Sequence, residues 1–137
     1  MNFINDKWMR SCRKHNLNNY DMKLFTQVLT FTTAPVQVVA ADTQPVPCNV
    51  SLDHVSHIYV EALTGNSHVS FVGVKTVSTS DGTGVISAIG IPDTTSTGAR
   101  VPFWEAKSTV SNRLDLTQLY FQGTGGEGVK VTFIVED

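Results

Sequence analysis

The segment VKVTFIVE, residues 129–136, is the clearest secondary-structure signal in the sequence. Its side chains alternate between two sets, and the set that shares one side is Val129, Val131, Phe133 and Val135. The other set includes two charged residues. Because successive side chains of a strand point to opposite faces, this pattern predicts a strand with one buried face.

Short stretches of the same kind precede it along most of the chain. They are rich in Val, Ile, Thr and aromatic residues and occupy residues 24–32, 35–41, 46–52, 57–63, 68–74, 85–89, 100–105 and 114–121. Frequent turn signals separate them, among them Asp81-Gly82. Eight or nine short strands in one chain of 137 residues predict an all-β fold, a single β-sandwich or jelly-roll-like domain or a small barrel over residues 22–137.

Turn residues and prolines refine this prediction. The sequence TGNS, residues 64–67, is a turn signal, so we expect 57–63 and 68–74 to form a hairpin. Proline cannot donate to a β-ladder, so Pro47 and Pro102 favour edge strands or bulges nearby. The Gly-rich segment 123–128 is followed by a strand, which favours a hairpin turn over a phosphate-binding loop.

Residues 1–21 differ from the rest of the chain. They are Asn-rich, hold four basic residues against two acidic ones, and show no β alternation. Apolar residues from Phe3 to Met9 could form one face of a short helix over residues 3–15. Two interpretations stay open: an N-terminal arm that grips a neighbour, or an upstream extension with Met22 as the natural start.

Composition argues against several classes of function. Only 16% of residues are charged and the net charge is −2, so the basic stripe of a nucleic-acid-binding protein is absent from the sequence. No apolar run approaches the roughly 18 residues that span a membrane. Residues 1–21 also lack the apolar core of a secretory signal. We therefore expect neither nucleic acid nor a membrane as partner.

Metal chemistry has few candidates. The motif Asp53-His54-x-x-His57 suggests ligands, but residues three apart on a strand face opposite sides. His57 and His68 would face each other across the predicted hairpin, with Cys48 as the remaining soft ligand. Two cysteines are too few for a disulfide framework, so we expect Cys12 and Cys48 to be free thiols, with Cys48 buried. We predict no metal and no cofactor.

The search for catalytic residues gives nothing specific. No serine lies in a G-x-S-x-G elbow, and the carboxylates are scattered among turns and strand ends. We therefore predict that the protein is not an enzyme.

Two adjacent aromatic pairs offer a better candidate site. Phe103-Trp104 and Tyr120-Phe121 both lie in predicted strands, where neighbours face opposite sides. One member of each pair is then expected to point away from the core and to contact a protein partner, or, with less support, to stack on a carbohydrate.

The segment from Ile58 to Glu136 resembles small virion structural proteins of tailed bacteriophages. The residues that carry the resemblance are IYVEALTGNSHVSFVG at 58–73, Thr83-Gly84-Val85, and LDLTQLYFQGTGGEGVKVTF at 114–133. Proteins of this kind include capsid decoration (cement) proteins, head fibres, and tail or neck components. Residues 1–21 have no counterpart in this pattern.

The resemblance implies a structural role on the outside of a virion. The leading hypothesis is a capsid decoration protein that acts as a homotrimer and binds the major capsid protein. The implied interface consists of Phe103, Trp104, Tyr120 and Phe121, with Trp8, Arg10 and Arg13 of the N-terminal arm. Loops 76–84 and 92–99 are the second choice. The alternatives are a tail, neck or head-fibre component, and a carbohydrate-binding module of a receptor-binding assembly.

Overall fold

The computed structural model describes residues 22–41, 45–93, 101–109 and 112–136. The strands in these ranges are β1 (Met22–Thr30), β2 (Val55–Ala62), β3 (Ser70–Gly73), β4 (Val85–Ile89), β5 (Phe103–Lys107), β6 (Tyr120–Gln122) and β7 (Gly128–Glu136). One short 3-10 helix, Leu116–Gln118, precedes β6. The predicted all-β class is confirmed.

The strands form two antiparallel sheets. The four-stranded sheet has the order β1-β7-β2-β5, and the three-stranded sheet has the order β4-β3-β6. Inner side chains of both sheets meet in one hydrophobic core. The domain is therefore sandwich-like, as predicted, and the proposed extension at residues 1–21 lies outside the described residues.

Strand β7 is central to the larger sheet. It pairs with β1 over its full length, from Met22 opposite Glu136 to Thr30 opposite Gly128, and with β2 on its other side. The predicted alternation is confirmed, since Val129, Val131, Phe133 and Val135 are at most 1% exposed. A strand paired on both edges and buried on one face is the scaffold on which this sheet is built.

The predicted hairpin between residues 57–63 and 68–74 is wrong. β2 belongs to the four-stranded sheet and β3 to the three-stranded sheet, so the turn between them carries the chain from one layer to the other. Asn66 lies at this corner, only 5% exposed, and its side-chain amide bonds to both backbone groups of Gly128. The turn residues indicate that the chain reverses here. The hydrogen bonds of the buried Asn66 amide to Gly128 hold the turn where the chain passes from the four-stranded to the three-stranded sheet.

Two other predicted strands are not strands. Residues 35–41 form an extended connection that pairs with β6 only at Val36 and Phe121. The side-chain amide of Gln27 fixes the same connection, because its Nε2 donates to the carbonyl of Val39 and its Oε1 accepts from the N–H, both at 2.9 Å. Residues 46–52 contain turns, as their two nearby prolines permit.

The region 114–121, predicted as one strand, is shorter and interrupted. Asp115 caps the 3-10 helix, since its carboxylate accepts from the backbone N–H of Thr117 at 2.9 Å. Only β6 follows as a strand. An Asp side chain that accepts from the backbone two residues further on favours a local turn over a β-ladder, which explains the error.

The edge assignment of β5 is confirmed, and the Gly-rich segment is a turn of a different kind. β5 is the outer strand of its sheet, directly after Pro102. Segment 123–128 turns from β6 in one sheet to β7 in the other, so it is not a hairpin turn. Gly126 adopts φ +88°, a conformation that glycine reaches without strain.

Cys48 departs from the sequence-based expectation. It lies in a turn, is half-buried and is disulfide-bonded, so the prediction of a buried free thiol is wrong. The other cysteine of the sequence, Cys12, lies outside the described residues. Among the residues that the structure does describe, no helix is long and apolar enough to cross a membrane.

Candidate functional site

The two aromatic pairs divide between core and surface. On β5, Phe103 is 38% exposed, whereas Trp104 is half-buried and packs against the core. On β6, Tyr120 is half-buried on the outside, whereas Phe121 is 0% exposed. The side chains therefore alternate along each strand as expected. Because Trp104 and Phe121 face the core, only Phe103 and Tyr120 can contact a partner.

Phe121 is not an interface residue in this structure. Its ring lies in the core, and its backbone pairs with Val72 of β3 on one side and Val36 on the other. Neighbours on both strand edges and a filled core above the ring leave no surface for a partner to touch. The predicted arm residues Trp8, Arg10 and Arg13 lie outside the described residues.

The outer side of the four-stranded sheet is a broad, mixed surface, which we call the four-stranded face. Its residues are Leu24, Thr26 and Val28 of β1, Lys130, Thr132 and Ile134 of β7, His57, Tyr59 and Glu61 of β2, and Phe103, Glu105 and Lys107 of β5. Leu24 is 65% exposed and Val28 is 55% exposed. Large aliphatic side chains at such exposure commonly mark contact surfaces when they cluster.

Cross-strand contacts order the side chains of this face. The hydroxyls of Thr26 and Thr132 are 3.2 Å apart, and Lys130 Nζ lies 3.3 Å from Glu61 Oε1. The Tyr59 and Phe103 rings stack with centroids 5.0 Å apart. Aromatic and charged pairs at neighbouring positions of a sheet stabilise it and hold their side chains in place. The face is thus preordered before any partner arrives.

The outer side of the smaller sheet forms a second surface, which we call the three-stranded face. It consists of Phe71 of β3, Ile86 and Ala88 of β4, and Tyr120 and Gln122 of β6. Ile86 is 52% exposed, at the position where the β3–β4 register shifts. A shallow cavity of about 360 Å³ adjoins it, lined by residues 74–76, Thr117, Gln118 and Tyr120.

A polar cluster at the corner between the sheets was not predicted. Glu127 accepts four hydrogen bonds, from the backbone N–H and hydroxyl of Ser67 at 3.0 and 2.8 Å and from the backbone N–H and Nδ1 of His68 at 3.2 and 3.1 Å. The backbone donor of Ser67, followed by His68, lowers the pKa of Glu127 to about 2. The signal in the sequence was weak, because the partners lie in two loops some sixty positions apart.

Ser, His and Glu together suggest a catalytic triad, but the geometry does not fit one. A triad needs the serine on one imidazole nitrogen and the acid on the other. Here the Ser67 hydroxyl and the Glu127 carboxylate both lie 3.1 Å from the same atom, His68 Nδ1, and the hydroxyl also contacts the carboxylate directly. The cluster therefore joins two loops and does not activate a nucleophile.

The histidines of the metal hypothesis are dispersed. His54 contacts Asp53 at 3.1 Å in a turn, His57 contacts Glu105 at 2.9 Å on the four-stranded face, and His68 lies at the corner between the sheets. The predicted approach of His57 to His68 across a hairpin does not occur, because the two belong to different layers. Within the described ranges, no group of three or more His, Cys, Asp or Glu side chains is placed to hold a metal ion.

Comparison with known proteins adds no relative. No family model matches the chain, and neither the curated proteins nor the solved structures contain a match. The structure alone then defines the candidate functional site. It consists of the four-stranded face and the three-stranded face, which lie on opposite sides of the sandwich and each expose apolar side chains.

Proposed function

We propose that this protein is a non-enzymatic structural component of a tailed-bacteriophage virion, and within that class a capsid decoration protein. It binds the major capsid protein on the outside of the head, in several copies around a symmetry axis, with a homotrimer as the assembly implied by the resemblance. The proposal assigns it neither a nucleic-acid nor a membrane partner.

The observation that carries the proposal is the presence of apolar side chains on both outer faces. Leu24 and Val28 are exposed on one face, and Ile86 is exposed on the other. A module that binds a single partner needs one contact surface, whereas a subunit built into a shell contacts neighbours on several sides. A rigid sandwich with two such faces suits a building block.

We assign capsid binding to the three-stranded face and the loop beside it. Residues 76–84 are one of the two loops that the sequence offers as an alternative interface, and they adjoin Val74 and the shallow cavity. Phe103 and Trp104 belong to the other sheet and Phe121 is buried, so Tyr120 is the one predicted aromatic interface residue that this assignment retains.

The test is binding to capsid shells that lack the protein. Purified protein is mixed with such shells, and the bound fraction is measured by co-sedimentation. Ile86→Glu is expected to weaken binding at least tenfold, because a charge is buried without a partner. Val39→Glu is the matched control, since Val39 is an equally exposed aliphatic residue, at 50%, in the connection 35–41 outside both faces. Equal binding by both variants, or no binding by the parent protein, contradicts the proposal.

Copy number separates decoration from a tail, neck or head-fibre role. Quantitative mass spectrometry of purified virions should find the protein in numbers comparable to the major capsid protein. A handful of copies per particle would favour the tail or neck alternative.

A carbohydrate-binding module remains the second candidate because one observation favours it. Phe103 is exposed and stacks on Tyr59, and Glu105 lies on the same face, where its carboxylate contacts His57. Aromatic rings beside carboxylates are suited to sugar rings, whereas Trp104 packs against the core. Phe103→Ala, and not Trp104→Ala, is therefore the informative variant on a glycan array. If the parent protein binds none of the host glycans on the array, this candidate function is excluded.

A further inference from the structure

The residues of the four-stranded face fall into rows that cross all four strands. One row consists, in spatial order, of Val28, Lys130, Glu61 and Phe103, since each is the register partner of the next. The side chains along this row are apolar, positive, negative and apolar. If a second copy of the row is laid over the first in reverse order, each charged side chain faces the opposite charge and each apolar side chain faces an apolar one.

We propose that the four-stranded face binds the same face of a second copy of this chain, around a two-fold axis that runs parallel to the strands between β7 and β2. This operation exchanges the two central strands and the two outer strands. Lys130 then meets Glu61 of the second copy, and Val28 meets Phe103, each contact occurring twice. The proposal does not rest on the capsid assignment, which uses the opposite face, and it gives a two-fold dimer in place of the homotrimer that the resemblance implies.

The remaining rows agree with this axis. The middle row is Thr26, Thr132, Tyr59 and Glu105, so that the Thr26 hydroxyl meets the Glu105 carboxylate and the Thr132 hydroxyl meets Tyr59. The third row is Leu24, Ile134, His57 and Lys107, which brings the alkyl stem of Lys107 over Leu24. No row brings two like charges together.

Charge burial selects a second copy over an apolar partner. Lys130 and Glu61 are already 3.3 Å apart within one chain and lie in the middle of the row. Covering this pair with apolar surface removes its hydration without replacement, which is costly. A second copy supplies the opposite charges in reverse order, so the two pairs become a ring of four. A two-fold axis across the strands would instead place Lys130 over Ile134, without an anion.

The size of the face is enough for a weak dimer. Four strands about 4.8 Å apart and up to nine residues long, at about 3.3 Å per residue, offer roughly 500 Å² of sheet per copy. Two copies then cover about 1,000 Å², which is the threshold for a specific interface and lies below the roughly 1,200–2,000 Å² of stable complexes. Packed sheets align within about 30° and lie about 10 Å apart, and long Lys and Glu side chains on the central strands can bridge that distance.

Charge reversal with complementation tests the proposal. Glu61→Lys gives a face with two positive central residues, and Lys130→Glu gives one with two negative ones. The parent protein should sediment as a dimer, and each variant alone should dissociate at least tenfold more readily, because like charges then face each other. An equimolar mixture of the two variants should recover the dimer, and native mass spectrometry should find one copy of each. The double variant should dimerise like the parent.

Control measurements keep each outcome informative. Lys75→Glu reverses an exposed charge beside the three-stranded face and should leave the dimer unchanged. Circular dichroism verifies folding, and Glu61→Gln with Lys130→Gln replaces any reversal that fails to fold. A parent protein that stays monomeric, an assembly insensitive to either reversal, or a mixture that does not associate overturns the proposal.

Discussion

The side-chain amide of Asn66 pairs with the backbone of Gly128 as a second backbone would: Nδ2 donates to the carbonyl at 2.7 Å, and Oδ1 accepts from the N–H at 3.1 Å. Gln27 does the same to Val39. Both side chains are at most 5% exposed. Two buried amides therefore take the place of β-ladder bonds where the chain leaves its sheets.

Replacing Asn66 should destabilise the fold strongly. Asn66→Ala removes the partner of the buried Gly128 N–H, while the Gly128 carbonyl still accepts from the N–H of Leu63, so we expect a loss of roughly 1 to 3 kcal/mol in the free energy of unfolding. Denaturation in urea measures it. Asn112→Ala, at an exposed position, is the control and should stay within about 0.5 kcal/mol of the parent. A similar small effect of both would show that the amide pair contributes little.

Gly128 itself has no room for a side chain. A Cβ there would overlap the carbonyl oxygen of Leu29 and press on Leu63. Gly128→Ala should therefore lower stability by roughly 1 to 3 kcal/mol, in the range for overpacked sites. At Gly65 a Cβ meets nothing within 4 Å, so Gly65→Ala is the matched control and should be nearly neutral. Thermal unfolding compares the melting temperatures of the two variants, and equal melting temperatures would contradict the prediction.

Glu127 should make stability depend on pH under acidic conditions. Its pKa in the folded protein is about 2, below the ordinary value of 4.5, because Ser67 and His68 donate hydrogen bonds to the carboxylate. A lowered folded pKa stabilises the native state above pH 4.5, and this contribution is lost as the pH falls toward 2. Parent and Glu127→Gln should therefore differ in unfolding free energy near neutral pH and converge near pH 2.

Direct titration offers an independent measurement of the same group. The carboxyl carbon of Glu127, followed by NMR, should keep its ionised shift well below pH 4. A midpoint near 4.5, or a parent–variant difference that does not change between pH 6 and 2.5, would contradict the prediction.

The two phenylalanines of the predicted interface should behave differently. Phe121→Ala empties a fully buried site and should cost about 3 to 5 kcal/mol. Phe103→Ala removes a ring that is 38% exposed and should cost less than about 1.5 kcal/mol, chiefly its stacking on Tyr59. Chemical denaturation of the two variants compares them. A larger loss at Phe103 would reverse the assignment of core and surface.

Cys48 should resist thiol reagents until a reductant is added, because it is disulfide-bonded. Iodoacetamide under denaturing, non-reducing conditions should leave it unmodified, and peptide mapping then identifies its partner thiol. Labelling without reductant would contradict the disulfide.

Sequence alone predicted the parts of the fold that depend on local alternation. β4 and β7 were placed to within one residue, because a period of two in the sequence is the same period that separates core from solvent. Alternation could not decide that Phe121, and not Tyr120, faces inward, since that depends on which sheet lies opposite. The corner at Asn66 was misplaced because turn residues specify a reversal but not the strand that the chain joins next.

The pairing of β1 with β7 has a consequence for how the protein is made. Thr26 and Thr132 share a hydrogen bond although 106 residues separate them in sequence. The larger sheet cannot be completed until β7 has left the ribosome, so the apolar side of β1 waits without this neighbour while all the residues between the two strands are synthesised. Such distant contacts slow folding and prolong exposure to aggregation. A chaperone that shields a nascent β-strand would therefore raise the yield of this protein more than that of a helical protein of equal length.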